Sequence, residues 1–185
     1  MSQSLSRLWT HLIFSTKDRF PFLKEPELQN DMHRYLASVL RSHDCETLIV
    51  GGTSDHVHAL FDLSRKYSVA TIVKEIKRTS SAWIKEVSPL CKKFHWQNGY
   101  GAFSVSQSHL DRVYRYIEQQ EHHHRRVTFQ DEYRSFLKKD GIEWDEHYVW
   151  NRRRRTLSEF VDCLPPANPG RCPGLEFANA FGVGE

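Results

Sequence analysis

Two histidines one residue apart, His56 and His58, stand in the segment Asp55-His56-Val57-His58-Ala59-Leu60-Phe61-Asp62, directly after the turn-like run Gly51-Gly52-Thr53-Ser54. Read as a strand, with its period of two, the segment puts His56, His58, Leu60 and Asp62 on one face and Val57, Ala59, Phe61 and Leu63 on the other. Two imidazole nitrogens then lie side by side on a rigid element, which is how a divalent-cation site can begin. A same-face pair also arises by chance in strands that only pack, so the pair needs partners from elsewhere in the chain. Gln120, or one of His122, His123 and His124, offers a third ligand, with His123 taken as a possible accessory residue. Two neutral imidazoles and one amide oxygen leave coordination positions for a phosphate oxygen or water, which suits electrophilic catalysis. Asp62 shares the histidine face and could orient one imidazole; a cap or surface role fits it equally.

Tyr116, four residues before Gln120, could supply a nucleophile. A phenol has a pKa of about 10 and needs a metal or a neighbouring base to react at neutral pH. Its attack on a phosphodiester would give a phosphotyrosine and release a hydroxyl, conserving the bond energy for rejoining, whereas attack by water would discard it. On a helix, Tyr116 lies roughly 110° from the centre of the stripe Leu110, Val113, Tyr114 and Ile117, with Gln120 one turn beyond it. Tyr114 then belongs to the core, and Tyr116 and Gln120 share an exposed or cleft-facing edge.

The elements that would carry these groups follow from periodicity. Leu8–Thr16, rich in aromatic and β-branched residues, predicts a strand with Leu8, Leu12 and Phe14 on one side. His11, on the other side, either points into a site or sits satisfied beside the sheet. A helix is predicted from Glu27 to Leu40 on the spacing of Leu28, Met32, Tyr35, Leu36 and Val39, then a strand over Glu46–Val50 joined to the histidine strand as a hairpin. A second helix starts after Ser68, with Val69, Ile72, Val73, Ile76, Trp83 and Ile84 as its buried stripe, and stops before Pro89. Phe94 to Gly101 reads as an irregular edge, and Ala102–Ser106 as a fourth strand. The order β-α-β-β-α-β is that of an α+β, ferredoxin-like sandwich, in which both helices cover one sheet face and leave the other open. An additional helix, Ser108 to His124 with Ser108 as cap, carries Tyr116. Thr128 to Leu137 predicts a short helix docking through Phe129, Tyr133, Phe136 and Leu137, followed by the anchors Trp144, Tyr148 and Trp150.

Three regions are expected: a domain over 1–126, a docked extension over 127–150, and a basic tail over 151–185 whose prolines and glycines suit a flexible segment. A chain of 185 residues is long enough for one well-buried core. Its net charge of +3 is only a mild bias toward polyanions. The cations are clustered, however. Lys74, Lys77 and Arg78 share one predicted helix, Arg125 and Arg126 end another, and Arg152, Arg153, Arg154 and Arg155 form an unbroken run, all candidates for nucleic-acid contacts against the alternative of solvated faces. Cys45, Cys91, Cys163 and Cys172 make no CxxC pair, so neither a zinc ribbon nor a dense disulfide framework is indicated. No apolar run reaches the roughly 18–20 residues of a membrane span, and a cytoplasmic location is expected.

His56-Val57-His58 together with Tyr116-Ile117-Glu118-Gln119-Gln120, and Trp96-Gln97-x-Gly99-Tyr100 between them, resembles the single-tyrosine HUH transposases of the IS200/IS605 type, including their chromosomal REP-associated members. The resemblance covers residues from about 8 to 125, and the segment through Trp150 looks like an extension common in the chromosomal members. It implies a ferredoxin-like fold, Mg²⁺ or Mn²⁺ held by His56, His58 and Gln120, and cleavage of single-stranded DNA by Tyr116 through a 5′-phosphotyrosyl intermediate. It also implies imperfect DNA hairpins as partners and a homodimer, with active sites assembled within one chain or between two. A hairpin-binding regulator that no longer transposes and a metal-dependent phosphodiesterase that uses water are the alternative functions.

Overall fold

The computed structural model describes residues 5–150. Expectations for the tail from residue 151, with Arg152 to Arg155, and for the side chain of Tyr148 lie outside the described residues. Aromatic and β-branched residues make Trp9–Ser15 the central strand β1, buried along its whole length. It pairs antiparallel with β3 (His56–Asp62) on one side and β4 (Gly101–Ser104) on the other, and β2 (Glu46–Gly52) pairs outside β3, so the sheet runs β2-β3-β1-β4. Helix α1 (Pro26–Ser42) follows β1, and α2 (Val69–Val87) follows β3. The fold is therefore the ferredoxin-like sandwich that the order of elements predicts. Leu8 falls just outside β1 and is exposed.

One sheet face and both crossover helices form the main core. Leu12, Phe14, Val57, Ala59 and Phe61 meet Met32, Leu36 and Leu40 of α1 and Ile72, Val73, Ile76 and Ile84 of α2. Each such side chain contributes roughly 1.5–3 kcal/mol by leaving water. Pro26 opens α1, where its missing N–H costs nothing. Ser68 caps α2 by accepting from the Thr71 N–H, a contact of about 1 kcal/mol. Trp83 lies at the edge of the buried stripe, partly buried against the main core and stacked on Tyr35 at 4.8 Å. Ser80 is fully buried on the same helix, where it donates to the Ile76 carbonyl and accepts from Trp96 Nε1.

The opposite face is not open. Helices α3 (Leu110–Glu118), α4 (Gln120–His123) and α5 (Phe129–Lys139) cover it. Trp9 and Leu60 of the sheet pack with Leu110 and Ile117, while Ile13 and Phe103 pack with Phe129, Tyr133 and Leu137. The physical reason is that the stripes on α3 and α5 need an apolar surface, and this sheet face has one beside the histidines.

The predicted Tyr116 helix departs from expectation in three ways. It starts after a 3-10 turn over Gln107–His109, so Ser108 does not cap it; the Ser108 hydroxyl lies against that of Ser106. It is interrupted at Gln119, whose φ of −99° and ψ of 18° separate α3 from α4. Tyr114 is 38% exposed rather than core, because the docked line runs through Leu110, Val113 and Ile117 and leaves the next residue about 100° around the helix. Thr128 caps α5, and Phe129, Tyr133 and Leu137 bury as predicted. Beyond it α6 (Glu146–Val149) leads to Trp150, which packs edge-on against Tyr133 at 5.8 Å. Trp144 is no core anchor: it stays exposed and donates to Glu146, which Arg134 also grips.

Candidate active site

The hairpin between β2 and β3 sets the first imidazole. Gly52 has a φ of 149°, and a Cβ there would lie 2.2 Å from the His56 carbonyl oxygen, so only glycine fits the turn. The turn returns Asp55 onto its neighbour. Asp55 Oδ1 accepts from His56 Nδ1 at 2.7 Å and from Thr53 Oγ1 at 3.1 Å, while Oδ2 accepts from Arg19 Nη2 at 2.8 Å and Nε at 3.1 Å. Burial alone would raise the Asp55 carboxyl, but the hydrogen bond and charge interaction with His56, then those with Arg19, outweigh it and hold it at about 2. A carboxylate on Nδ1 fixes a proton there, so in the neutral imidazole Nε2 is the lone-pair nitrogen. That atom lies 3.5 Å from Gln120 Oε1, which can accept only from a protonated Nε2 and otherwise stands beside it as a second donor of lone pairs.

His58 is fully buried, and its Nδ1 lies 3.0 Å from Nε2 of His11. Burial lowers His58 well below the ordinary histidine range and brings His11 to about 4, so both are neutral at pH 7. One ring of this pair donates to the other; in the tautomer in which His11 accepts, His58 carries its proton on Nδ1 and presents Nε2 to the site as a lone pair. His124 has the same arrangement. Its Nδ1 donates to the Val127 carbonyl at 2.8 Å, and burial, with His56 nearby, lowers it to about 4.

Glu132 of α5 stands opposite. Its Oε2 is 3.6 Å from His58 Nε2 and 3.4 Å from His124 Nε2, and its Oε1 accepts from the Tyr116 hydroxyl and from Gln120 Nε2 at 3.2 Å. Burial pushes the Glu132 carboxyl up to about 8. His58 Nε2, His124 Nε2 and Glu132 Oε2 are buried without a hydrogen-bond partner, each a cost of roughly 1–3 kcal/mol if left so. One ligand atom each from His56, His58, His124 and Glu132 lies within 4.8 Å of the others. Imidazole lone pairs converging on a carboxylate oxygen repel one another unless a proton or a cation lies between them. The donor set therefore fits a divalent cation.

Tyr116, His56, His58 and Gln120 are thus brought together, and within a single chain. His123 is adjacent rather than central: its ring lies 5.2 Å from that of Tyr116, and its Nε2 is 3.5 Å from Glu132 Oε1. Asp62 orients neither imidazole; it accepts from the Leu8 N–H and pairs with Arg7 at the far end of β3. Asp55 holds His56 instead, a residue that strand alternation hides because it precedes the strand and reaches back from the turn. Glu132 was missed by motif, although a carboxylate between Phe129 and Tyr133 on a buried stripe is itself a signal of a site.

The predicted DNA-binding cations divide. Lys74, Lys77 and Arg78 lie on α2, in the layer packed on the sheet face away from the histidines. Lys77 is committed to structure: its ammonium donates to the carbonyls of Gln97 and Gly99, each at 2.7 Å, and sits 5.0 Å from the Phe14 ring centre. Arg78 pairs with Glu75. Arg125 and Arg126, by contrast, are exposed just beyond α4. A cleft of about 480 Å³ opens beside Tyr116, lined by His11, Phe103, His123 and Phe136 and carrying the cations Arg112 and Lys139 that motif reading passed over.

The sequence model of the family described as Transposase IS200 like matches residues 4–120, and the chain belongs to that family. Two solved structures share its fold. One is a candidate transposase of Deinococcus radiodurans R1, 23% identical, with a TM-score of 0.50 over 65% of this chain and 98% of that one. The other is a REP-associated tyrosine transposase bound to a REP hairpin, 16% identical, with a TM-score of 0.50 over 69% of this chain and 76% of that one. Among curated proteins no sequence matches significantly. No helix among the described residues is long and apolar enough to cross a membrane.

Proposed function

We propose that this transposase cuts and rejoins single-stranded DNA at hairpin-flanked sites, with Tyr116 as nucleophile and Mg²⁺ or Mn²⁺ as cofactor. The observation that carries the reading is the position of the Tyr116 hydroxyl: it is bonded to one oxygen of Glu132, whose other oxygen faces the bare nitrogens of His58 and His124. Nucleophile, base and cation ligands are then one continuous group.

His56, His58 and Gln120 would hold the cation, which supplies charge stabilisation to the phosphate oxygens when bound. With its carboxyl ionised, as a bound cation or a pH above about 8 would ensure, Glu132 Oε1 takes the Tyr116 proton as the phenol oxygen bonds to phosphorus. The bond to the 3′ oxygen breaks and that oxygen takes up the proton now on Glu132, or one from water, leaving a 3′ hydroxyl and a 5′-phosphotyrosyl protein. Attack by a 3′ hydroxyl on that ester reverses the sequence and frees Tyr116 without further energy input. His11 and Asp55 hold the two imidazoles in the required tautomers. Arg112 and Lys139 line the cleft beside Tyr116 and suit a DNA backbone, and the exposed Arg125 and Arg126 beyond α4 offer further phosphate contacts. Phe136, partly buried in the cleft and backed by the Phe103 ring stacked on it, offers an apolar edge for an unpaired base.

Hairpin recognition is supported by the tyrosine transposase of like fold that is bound to a REP hairpin. The homodimer implied by the resemblance would bring two DNA ends together, with Tyr116 and Gln120 serving the histidines of their own chain, as they lie here, or those of the partner subunit. Such an activity belongs in the cytoplasm, with the DNA. The test is incubation of purified protein with labelled hairpin DNA and Mn²⁺. A covalent protein–DNA adduct is expected, absent in Tyr116→Phe. Persistence of the adduct in that variant would overturn the nucleophile assignment.

A further inference from the structure

We propose that Glu132 and His124, both beyond the family-matched residues 4–120, are themselves cation ligands, so that a carboxylate and a third imidazole join His56 and His58 on this chain's ion. The proposal rests on the reading of His56 and His58 as metal residues and extends it to the segment after the Tyr116 helix.

Geometry and tautomers carry it together. Ligand atoms about 2.1 Å from a tetrahedral ion sit about 3.4 Å apart. Glu132 Oε2 lies 3.4 Å from His124 Nε2 and 3.6 Å from His58 Nε2. The His124 proton is committed to the Val127 carbonyl and that of His56 to Asp55, so neither Nε2 has a proton to offer when neutral. Glu132 Oε2, His58 Nε2 and His124 Nε2 are all without a hydrogen-bond partner. Gln120 is less committed to an ion, because its amide nitrogen already bridges Glu132 and the Tyr116 carbonyl while its oxygen stands 3.5 Å from His56. A set rich in imidazole also favours a later transition metal such as Co²⁺ over Mg²⁺.

Glu132 Oε1 meanwhile accepts from Tyr116. The same carboxylate would therefore join the ion to the nucleophile, making α5 part of the active site rather than a docked appendage.

The test is metal binding by the full chain without DNA, read by titration of Mn²⁺ with electron paramagnetic resonance and by the visible absorption of Co²⁺. Glu132→Gln keeps size and the Tyr116 contact, and His124→Gln removes one nitrogen ligand at a partly exposed position; thermal melting of the metal-free variants checks their fold. Each is expected to weaken Mn²⁺ binding by at least about tenfold and to change the Co²⁺ spectrum. Wild-type binding and an unchanged spectrum in both folded variants would overturn the proposal and leave the contacts as hydrogen-bonded pairs. His56→Ala and His58→Ala separate the two claims: if they too bind as wild type, the histidine-pair reading has failed, whereas loss in these alone refutes only the part played by Glu132 and His124.

Discussion

Replacing Gly51 by alanine tests how Tyr116, the proposed nucleophile, is positioned. Gly51 pairs with His58 across the β2–β3 ladder. A Cβ built there would lie 2.9 Å from both Cγ2 and the carbonyl oxygen of Ile117, where ordinary contact begins at 3.4 Å. The methyl group cannot be absorbed by a rotamer change, since one of the two atoms is backbone. Helix α3 must withdraw by roughly half an ångström or more, carrying Tyr116 and starting Gln120 away from the histidines. Overpacking of this kind costs about 1–3 kcal/mol, measured by urea unfolding. A displacement approaching 1 Å at a nucleophile slows its reaction by about 10²-fold, read as the initial rate of adduct formation with hairpin DNA at saturating Mn²⁺. Adding Ile117→Ala removes the side-chain contact only, so the double variant should stay slow. A folded Gly51→Ala protein with the wild-type rate, or full rescue by Ile117→Ala, would refute the account.

Asp55→Asn removes the carboxylate that fixes the His56 tautomer, and Mn²⁺ affinity should fall about 10–100-fold, measured by calorimetry, with little change in the far-ultraviolet circular dichroism spectrum. Lys77→Met leaves the carbonyls of Gln97 and Gly99 without their donor and should cost about 1–3 kcal/mol in urea unfolding, while the salt dependence of DNA binding stays unchanged. Burial lowers Lys77 from 10.5 to about 8, so between these values the unfolded chain holds a proton that the folded one has released. Its contribution to stability therefore rises with pH across that window, and the slope should vanish in Lys77→Met. Arg112→Ala and Lys139→Ala, beside Tyr116, should each weaken hairpin binding and reduce the salt slope by about one, because each would neutralise one phosphate.

Periodicity alone sufficed for the four strands, the two crossover helices and the short docking helix, because their apolar residues repeat at the period of the element they form. It could not tell that the histidine face would be covered. Leu110, Val113 and Ile117 mark a stripe without saying which surface receives it, and Tyr114 beside them reads as core until the docking angle is known. Ser108 failed as a cap because the chain takes a 3-10 turn before the helix, a choice made by packing rather than by propensity. Lys77 looked like a DNA contact because a cation on a helix is usually solvated, and nothing local reveals that the Gln97–Gly99 loop folds back over it.

His56, His58, Tyr116 and Gln120 are legible in the sequence because each lies in a short, regular element, where spacing dictates which side chains share an edge. Asp55, His11, His124 and Glu132 surround them through a turn, a neighbouring strand and two later helices. The sequence offers His11 and His124 as candidates without deciding between a site and a packing role, and it leaves Asp55 and Glu132 unmarked; the tertiary structure decides, because it sets which way the turn residue Asp55 reaches and brings α5 with Glu132 against the histidine strand. The same holds for the assembly of the site within one chain. It depends on the direct approach of Ile117 to Gly51, a contact made possible by the absence of a side chain.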